Sequence, residues 1–401
     1  MPAPLAAAPA AECRLGGGTA PGDTLDLVIT DDNLRLGPPA PASTAAERMI
    51  GRLLYRGLVR SDCRGRVLPD LASSWRRTGA GWEFRIESAA RFADGSDVTA
   101  AAIQAAFERR PVAGVASVEA AGAVLRLRGS SAESDAVFLA RLTAASAVVA
   151  GPSRAGDAPA LETGDYRWAG ASGSRGRTVT FLTERNGPGV IRLETAVRGD
   201  PRDRLDGGTG TALALVTRDP VTLDYAGRRP GVSVDSLGWD LVYGLVVTGA
   251  VVPPDGAVRA SLARDAVRAP ARAATDSGCR GRDTTAAARP VIGYPEADPI
   301  ARGLAERIVS LARAAPPWLG PAAAPGLTAA GFRTGALDQA AAGLAAVVRT
   351  WPLGSACPAD LAPGTIRFGL VETRPALVRT GPVPALMRDG EGTLVLARRA
   401  P

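Results

Sequence analysis

From Gly22 onward the chain alternates two apolar patterns, and this alternation limits the fold more than any other feature. One pattern is a short run that is apolar at every second position or throughout. GDTLDLVIT (22–30) is of this kind, with Leu25, Leu27 and Ile29 set between polar residues, and so are ALALVT (212–217), DLVYGLVVTG (240–249), RPVIGYP (289–295), AAVVRTW (345–351) and TIRFGLVE (365–372). These read as strands, half-buried or buried. The other is a stripe at helical spacing. Met49, Leu53 and Leu54 mark a helix over 45–58, and Val258 and Leu262 mark one over 255–268. Ile300, Leu304, Ile308 and Leu311 mark a third, with Asp298 as its cap and Pro299 at its first position. No strand is followed by G-x-G-x-x-G, and G-x-x-x-x-G-K does not occur. The expectation is a mixed α/β fold without a nucleotide fingerprint.

The stretch GWEFRIESAARFADGSDVTAAAIQAAFER (81–109) shows how local chemistry sets such units. WEFRI reads as a strand of a hairpin-like pair, Asp94-Gly95 as a turn, and Thr99 as the N-cap of a helix that packs inward through Ile103 and Phe107. Nothing in it is catalytic. VASVEAAGAVLRLRG (115–129) reads as a further hairpin, residues 134–143 as a short helix, residues 314–330 as irregular, and the C-terminal end as loop-rich.

Charge and composition narrow the chemistry. The formal charge is +7, but all 47 basic residues are Arg and they alternate with acids, as in AERIVSLAR and RGDPRDRLD. Abundant Ala, Gly and Pro beside absent Lys point to the codon bias of a high-GC bacterium, so no nucleic-acid partner is expected. With no His in the chain, there is no Ser-His-Asp triad, Cys-His pair or His-containing metal site. No cofactor and no metal site are expected. No stretch is apolar for the ~20 residues that a membrane-spanning helix needs.

Cys13, Cys63, Cys279 and Cys357 form no CxxC pair. Two disulfides or four buried thiols both fit this spacing; if the protein is exported, the even count favours disulfides, with Cys279–Cys357 the preferred pair. Residues 1–21 have neither a basic n-region nor a sustained apolar segment. They are expected to be a flexible leader left after signal removal, which places the protein outside the cytoplasm, at the cell surface or in the periplasm; if Met1 is the native start, it is cytoplasmic.

The order of the motifs carries a resemblance. LLYRGLVRSDCRGRVLPDLASSWRRTGAGWEFRI (53–86) and ARFADGSDVTAAAI (90–103) resemble the signature of the family-5 bacterial extracellular solute-binding proteins, the peptide- and nickel-type receptors of ABC importers. Tyr55, Gly57, Leu58, Pro69, Leu71, Ala72, Trp75, Phe84, Arg85, Phe92, Asp94, Gly95, Thr99 and Ala100 stand in matching places. ETGDY (162–166), DLVYGLVVTG, AVRASLARDAVR (257–268) and DPIARGLAERIVSLAR (298–313) continue the match almost to the end.

The resemblance implies a periplasmic-binding-protein-like α/β fold with two lobes around a cleft and an accessory α/β domain on the first lobe. The expected first lobe is discontinuous, over 22–45, 159–255 and 365–401, with the accessory domain over 46–158 and a shortened second lobe over 256–364. It also implies capture of a small organic solute by lobe closure, delivery to an ABC permease, no enzymatic step, and a monomer. The alternative is a binding-protein scaffold repurposed as an enzyme or pathway protein in a biosynthetic cluster; a third reading is an interaction protein that has lost its ligand site.

Peptide-binding relatives place an Asp shortly after a Trp to pair with the peptide ammonium. Here Trp351 is followed by Pro352, Leu353 and Gly354, so ordinary peptide capture is not expected, and Arg349 could face an anion instead. The candidate ligand residues are Trp351 and Arg349, Tyr243 and Trp239 near the expected hinge, and Asn33, Ser43 and Thr44 after the first strand. Asp31 and Asp32 read as a solvated turn.

Overall fold

The computed structural model describes residues 24–30, 44–79, 81–129, 134–153, 159–174, 177–184, 189–195, 200–206, 212–248, 254–267, 270–275, 279–280, 289–314, 326–333, 336–337, 339, 341–353, 365–380, 386–391 and 393–396. The chain divides into two compact units: 1–217, 221–238 and 376–401 form the first, and 218–220 and 239–375 the second.

The first unit is built on a seven-stranded sheet in the order Tyr166–Ser174, Arg177–Glu184, Val190–Thr195, Thr24–Ile29, Ala212–Thr217, Ala376–Thr380, Val232–Ser236. Thr24–Ile29 is parallel to both of its neighbours, while Ala376–Thr380 runs antiparallel to both of its own. Alternation along the first strand sends Leu25, Leu27 and Ile29 into a core shared with Met49, Ile50 and Leu53 of the helix Ala45–Leu54. Val28 points the other way and packs with Leu205, Leu215, Ala226 and Val378.

A separate core lies within the same unit. The antiparallel strands Ala72–Thr78, Gly81–Ile86, Val124–Gly129 and Val115–Ala121 pair in that order and enclose it with the helix Ala100–Arg109. Gly95 has φ +89 and forms the turn. Thr99 accepts a hydrogen bond from Ala102 N at 3.1 Å, a cap worth about 1 kcal/mol. Phe92, Ile103 and Phe107 are buried together, so the apolar residue just before the turn is a core anchor.

The second unit carries a sheet in the order Ala271–Ala273, Thr365–Thr373, Leu241–Thr248, Leu344–Pro352, Arg289–Pro295, Thr328–Phe332, with Cys279–Arg280 also pairing with Thr365–Thr373. Tyr243, Leu245, Val348, Phe368 and Leu370 meet Leu262 of the helix Gly256–Leu262 and Ile300, Leu304 and Ile308 of the helix Pro299–Ala314. Asp298 caps the latter by accepting hydrogen bonds from Ile300 N and Ala301 N.

Several expectations change. The second unit takes in 239–255 and 365–375 beyond the expected 256–364, because Leu241–Thr248 and Thr365–Thr373 pair with each other and lie centrally in its sheet. Thr328–Phe332, which begins within the stretch read as irregular, is a strand held by parallel pairing with Arg289–Pro295. Ala376–Thr380, in the end read as loop-rich, lies between two strands of the first sheet. The leader 1–21 lies outside the described residues.

Candidate ligand-binding face in the second unit

Four strands of the second sheet bring one row of side chains to a common face. Arg272 stands opposite Glu372, Glu372 opposite Val242, and Val242 opposite Trp351; directly opposed residues project to the same side of a sheet. Trp351 is 6% exposed and packs with Val242 and Ala274. Its indole lies over Gly244, where a Cβ would come within 2.9 Å of Cζ2 and closer still to Cη2. The Arg367 guanidinium sits 4.3 Å from the indole centroid, a cation–π contact on a buried ring. Arg349 pairs with Gly244 two residues before Trp351, so it shares this face, half-buried.

Tyr243 belongs to the opposite face. It is buried among the helices there, and its hydroxyl donates to Asp298 Oδ2 at 3.0 Å. Burial pushes the Asp298 carboxyl above its ordinary range, against the hydrogen bonds from Ala301, Tyr243 and Ile300.

At the end of the row lies a cluster around Trp239. The Arg272 guanidinium is 4.3 Å from the Trp239 ring centroid and that of Arg374 is 4.7 Å from it. Glu372 is fully buried and accepts from Arg272 Nε at 2.7 Å, Thr275 N at 2.9 Å and Thr275 Oγ1 at 2.6 Å. Burial alone raises a carboxyl, but here the hydrogen bonds from Thr275 and Arg272 outweigh it and the Glu372 pKa is lowered. Close by in the same unit, Arg218 and Asp240 form a buried two-pronged ion pair, Nη1 to Oδ1 at 2.7 Å and Nη2 to Oδ2 at 2.8 Å.

The expected site residues are thus divided. Trp351 and Arg349 share one face, Trp239 lies at that sheet's end, and Tyr243 is on the other side. Thr44 caps its helix instead: its hydroxyl accepts from Glu47 N, and Glu47 Oε2 accepts from Thr44 N, both at 3.2 Å. Asn33, Ser43, Asp31 and Asp32 lie outside the described residues. Cys63 is disulfide-bonded. Cys279 is described only as part of a strand paired with Thr365–Thr373, and Cys357 is outside the described residues.

Arg272, Arg374 and Glu372 were missed from sequence. The available signal was Glu372 itself, an acid ending an apolar strand, which must find donors if buried. No helix among the described residues is long and apolar enough to cross a membrane, and no group of three or more acids or cysteines among them could hold a metal ion.

No protein-family model matches the chain, and neither does any curated protein. Solved structures do match. NikA from Brucella suis, in complex with Fe(III)-EDTA, is similar at 13% identity over 92% of this chain and 98% of that one, with a TM-score of 0.59. A substrate binding protein from Microbacterium hydrocarbonoxydans complexed with 4-hydroxybenzoate hydrazide is similar at 13% identity, over 94% and 100% of the two chains, with a TM-score of 0.56. The murein tripeptide binding protein MppA of Escherichia coli is similar at 13% identity, over 83% and 80%, with a TM-score of 0.57. The fold is the one these binding proteins share.

Proposed function

We propose that the protein is an extracytoplasmic solute-binding protein that captures a small organic solute and hands it to an ABC permease, with no bond made or broken. The observation that carries this reading is the fold: both units follow binding proteins over 92% of this chain and 98% of the Brucella suis protein. Fold alone does not assign function, but two features of this chain agree with it. The Cys63 disulfide suits an oxidising compartment. The face bearing the half-buried Arg349 ends in the half-buried Trp239 cluster, which offers an indole edged by cationic donors, and no carboxylate follows Trp351 in Pro352, Leu353 and Gly354. Between the units the chain crosses after Thr217, Pro220, Gly238 and Pro375, and movement about these crossings is the proposed means of retaining the solute.

Native mass spectrometry of the protein purified from its own host, followed by denaturation, tests the reading. A stoichiometric, chemically intact small molecule is expected. A protein that is empty and stays empty in cell extract would sink the proposal, and a bound species that changes on incubation would point to an enzyme.

A further inference from the structure

We infer that Trp239, Arg272 and Arg374 form a binding site for a carboxylate group, which narrows the solute to an acidic organic molecule. The inference rests on the solute-binding reading and deepens it. Three segments supply the site: Trp239 precedes Leu241–Thr248, Arg272 is central in Ala271–Ala273, and Arg374 directly follows Thr365–Thr373.

Among the described residues, the charges around the indole do not balance. Both guanidiniums lie within 4.7 Å of one ring centroid, and Glu372 answers only Arg272, through Nε and Nη2, both at 2.7 Å. The Arg374 side chain has no hydrogen-bond or ion-pair partner among the described residues, and its Nε is shielded from solvent without an acceptor. Leaving a buried donor unsatisfied is costly, and a second cation beside Arg272 adds repulsion. A carboxylate removes both penalties, because its two oxygens match the planar guanidinium fork.

The backbone under the cluster is pinned. Arg374 N donates to Pro270 O at 3.4 Å, and Asp240 N donates to Thr373 O at 3.3 Å. Trp239 and Arg374 remain half-buried and not sealed. The backbone that carries Trp239 and Arg374 is thus tied to the neighbouring segments, and Glu372 fixes the Arg272 side chain through Nε and Nη2, which reduces the ordering cost of binding.

Isothermal titration with benzoate, and with benzamide as its neutral counterpart carrying the same ring, tests the site in the wild-type protein and in Arg374→Gln. Benzoate is expected to bind and benzamide is not, with Arg374→Gln weakening benzoate by about tenfold or more and an unchanged far-ultraviolet circular dichroism spectrum. Silence of the wild type towards benzoate, equal binding of benzamide, or equal affinity in the variant would each overturn the site. Native mass spectrometry separates this from failure of the broader reading. A host-derived solute retained equally by Arg374→Gln removes the carboxylate site and leaves solute binding standing, whereas a wild-type protein that never carries a solute removes both.

Discussion

Gly244 is a glycine because Trp351 lies across it. Any Cβ at 244 would collide with the indole and with the carbonyl oxygen of Phe368 on the other neighbouring strand. Gly244→Ala is expected to destabilise the protein by about 1–3 kcal/mol through overpacking, and Trp351→Ala by about 3–5 kcal/mol through the cavity it leaves. Urea denaturation measures both. In the double variant the two costs should fall short of their sum, because removing the indole frees part of the space the new methyl needs; strict additivity would show that the two residues do not compete for that space.

The Arg218–Asp240 pair is buried on both sides, with side chains 6% and 0% exposed. Asp240→Asn removes the two-pronged carboxylate partner of a buried guanidinium and is expected to cost about 3–5 kcal/mol. Replacing both partners, as Arg218→Met with Asp240→Leu, should cost clearly less than the single change. A double variant as unstable as the single one in thermal denaturation would rule out the remaining guanidinium as the cause.

Two buried carboxyls should respond to pH with opposite sign. The Glu372 pKa is lowered on folding, so its stabilisation is present above the unfolded-state pKa and is lost as pH falls through the folded-state one. The stability gap between wild type and Glu372→Gln should therefore narrow in acid. The Asp298 pKa is raised, chiefly by burial. Its contribution is fully present below the unfolded-state pKa and is lost as pH rises through the folded-state one, so Asp298→Asn should gain on wild type as pH rises. Denaturation at a series of pH values reads both slopes, and slopes of the same sign would contradict the assignment.

Within the first unit, Arg52 fastens the hairpin of Leu386–Arg388 and Leu394–Leu396 to the helix Ala45–Leu54. Its Nε lies 3.3 Å from Asp389 Oδ2, Nη2 lies 3.2 Å from Glu391 Oε2, and Nη2 also donates to Thr143 O. Asp389 is buried, which with the nearby Glu391 raises its pKa against the opposing charge of Arg52. Arg52→Ala is expected to cost about 3–5 kcal/mol by leaving that carboxyl without its cation, and to speed hydrogen exchange in the strands Leu386–Arg388 and Leu394–Leu396. Unchanged exchange there would mean that the pair does not hold the hairpin.

The sequence by itself determined the elements whose causes are local. The strand, turn and capped helix over 81–109 could be read because the Gly95 turn and the Thr99 cap act within a few residues, and Asp298 marked its helix in the same way. The α/β class followed from strand and helix periodicities repeated along the chain. Tertiary structure alone decided which strands pair and hence which side chains meet. Thr328–Phe332 and Ala376–Thr380 carry little pattern of their own and are strands because of their partners. The separation of Tyr243 from Trp351 depends on the register of Leu241–Thr248, since a slip of one residue moves every side chain to the other face. Trp239, Arg272 and Arg374 are distant in sequence and meet only through that register. Such contacts leave no periodic trace in the chain, because their energy comes from residues that folding, not sequence proximity, brings together.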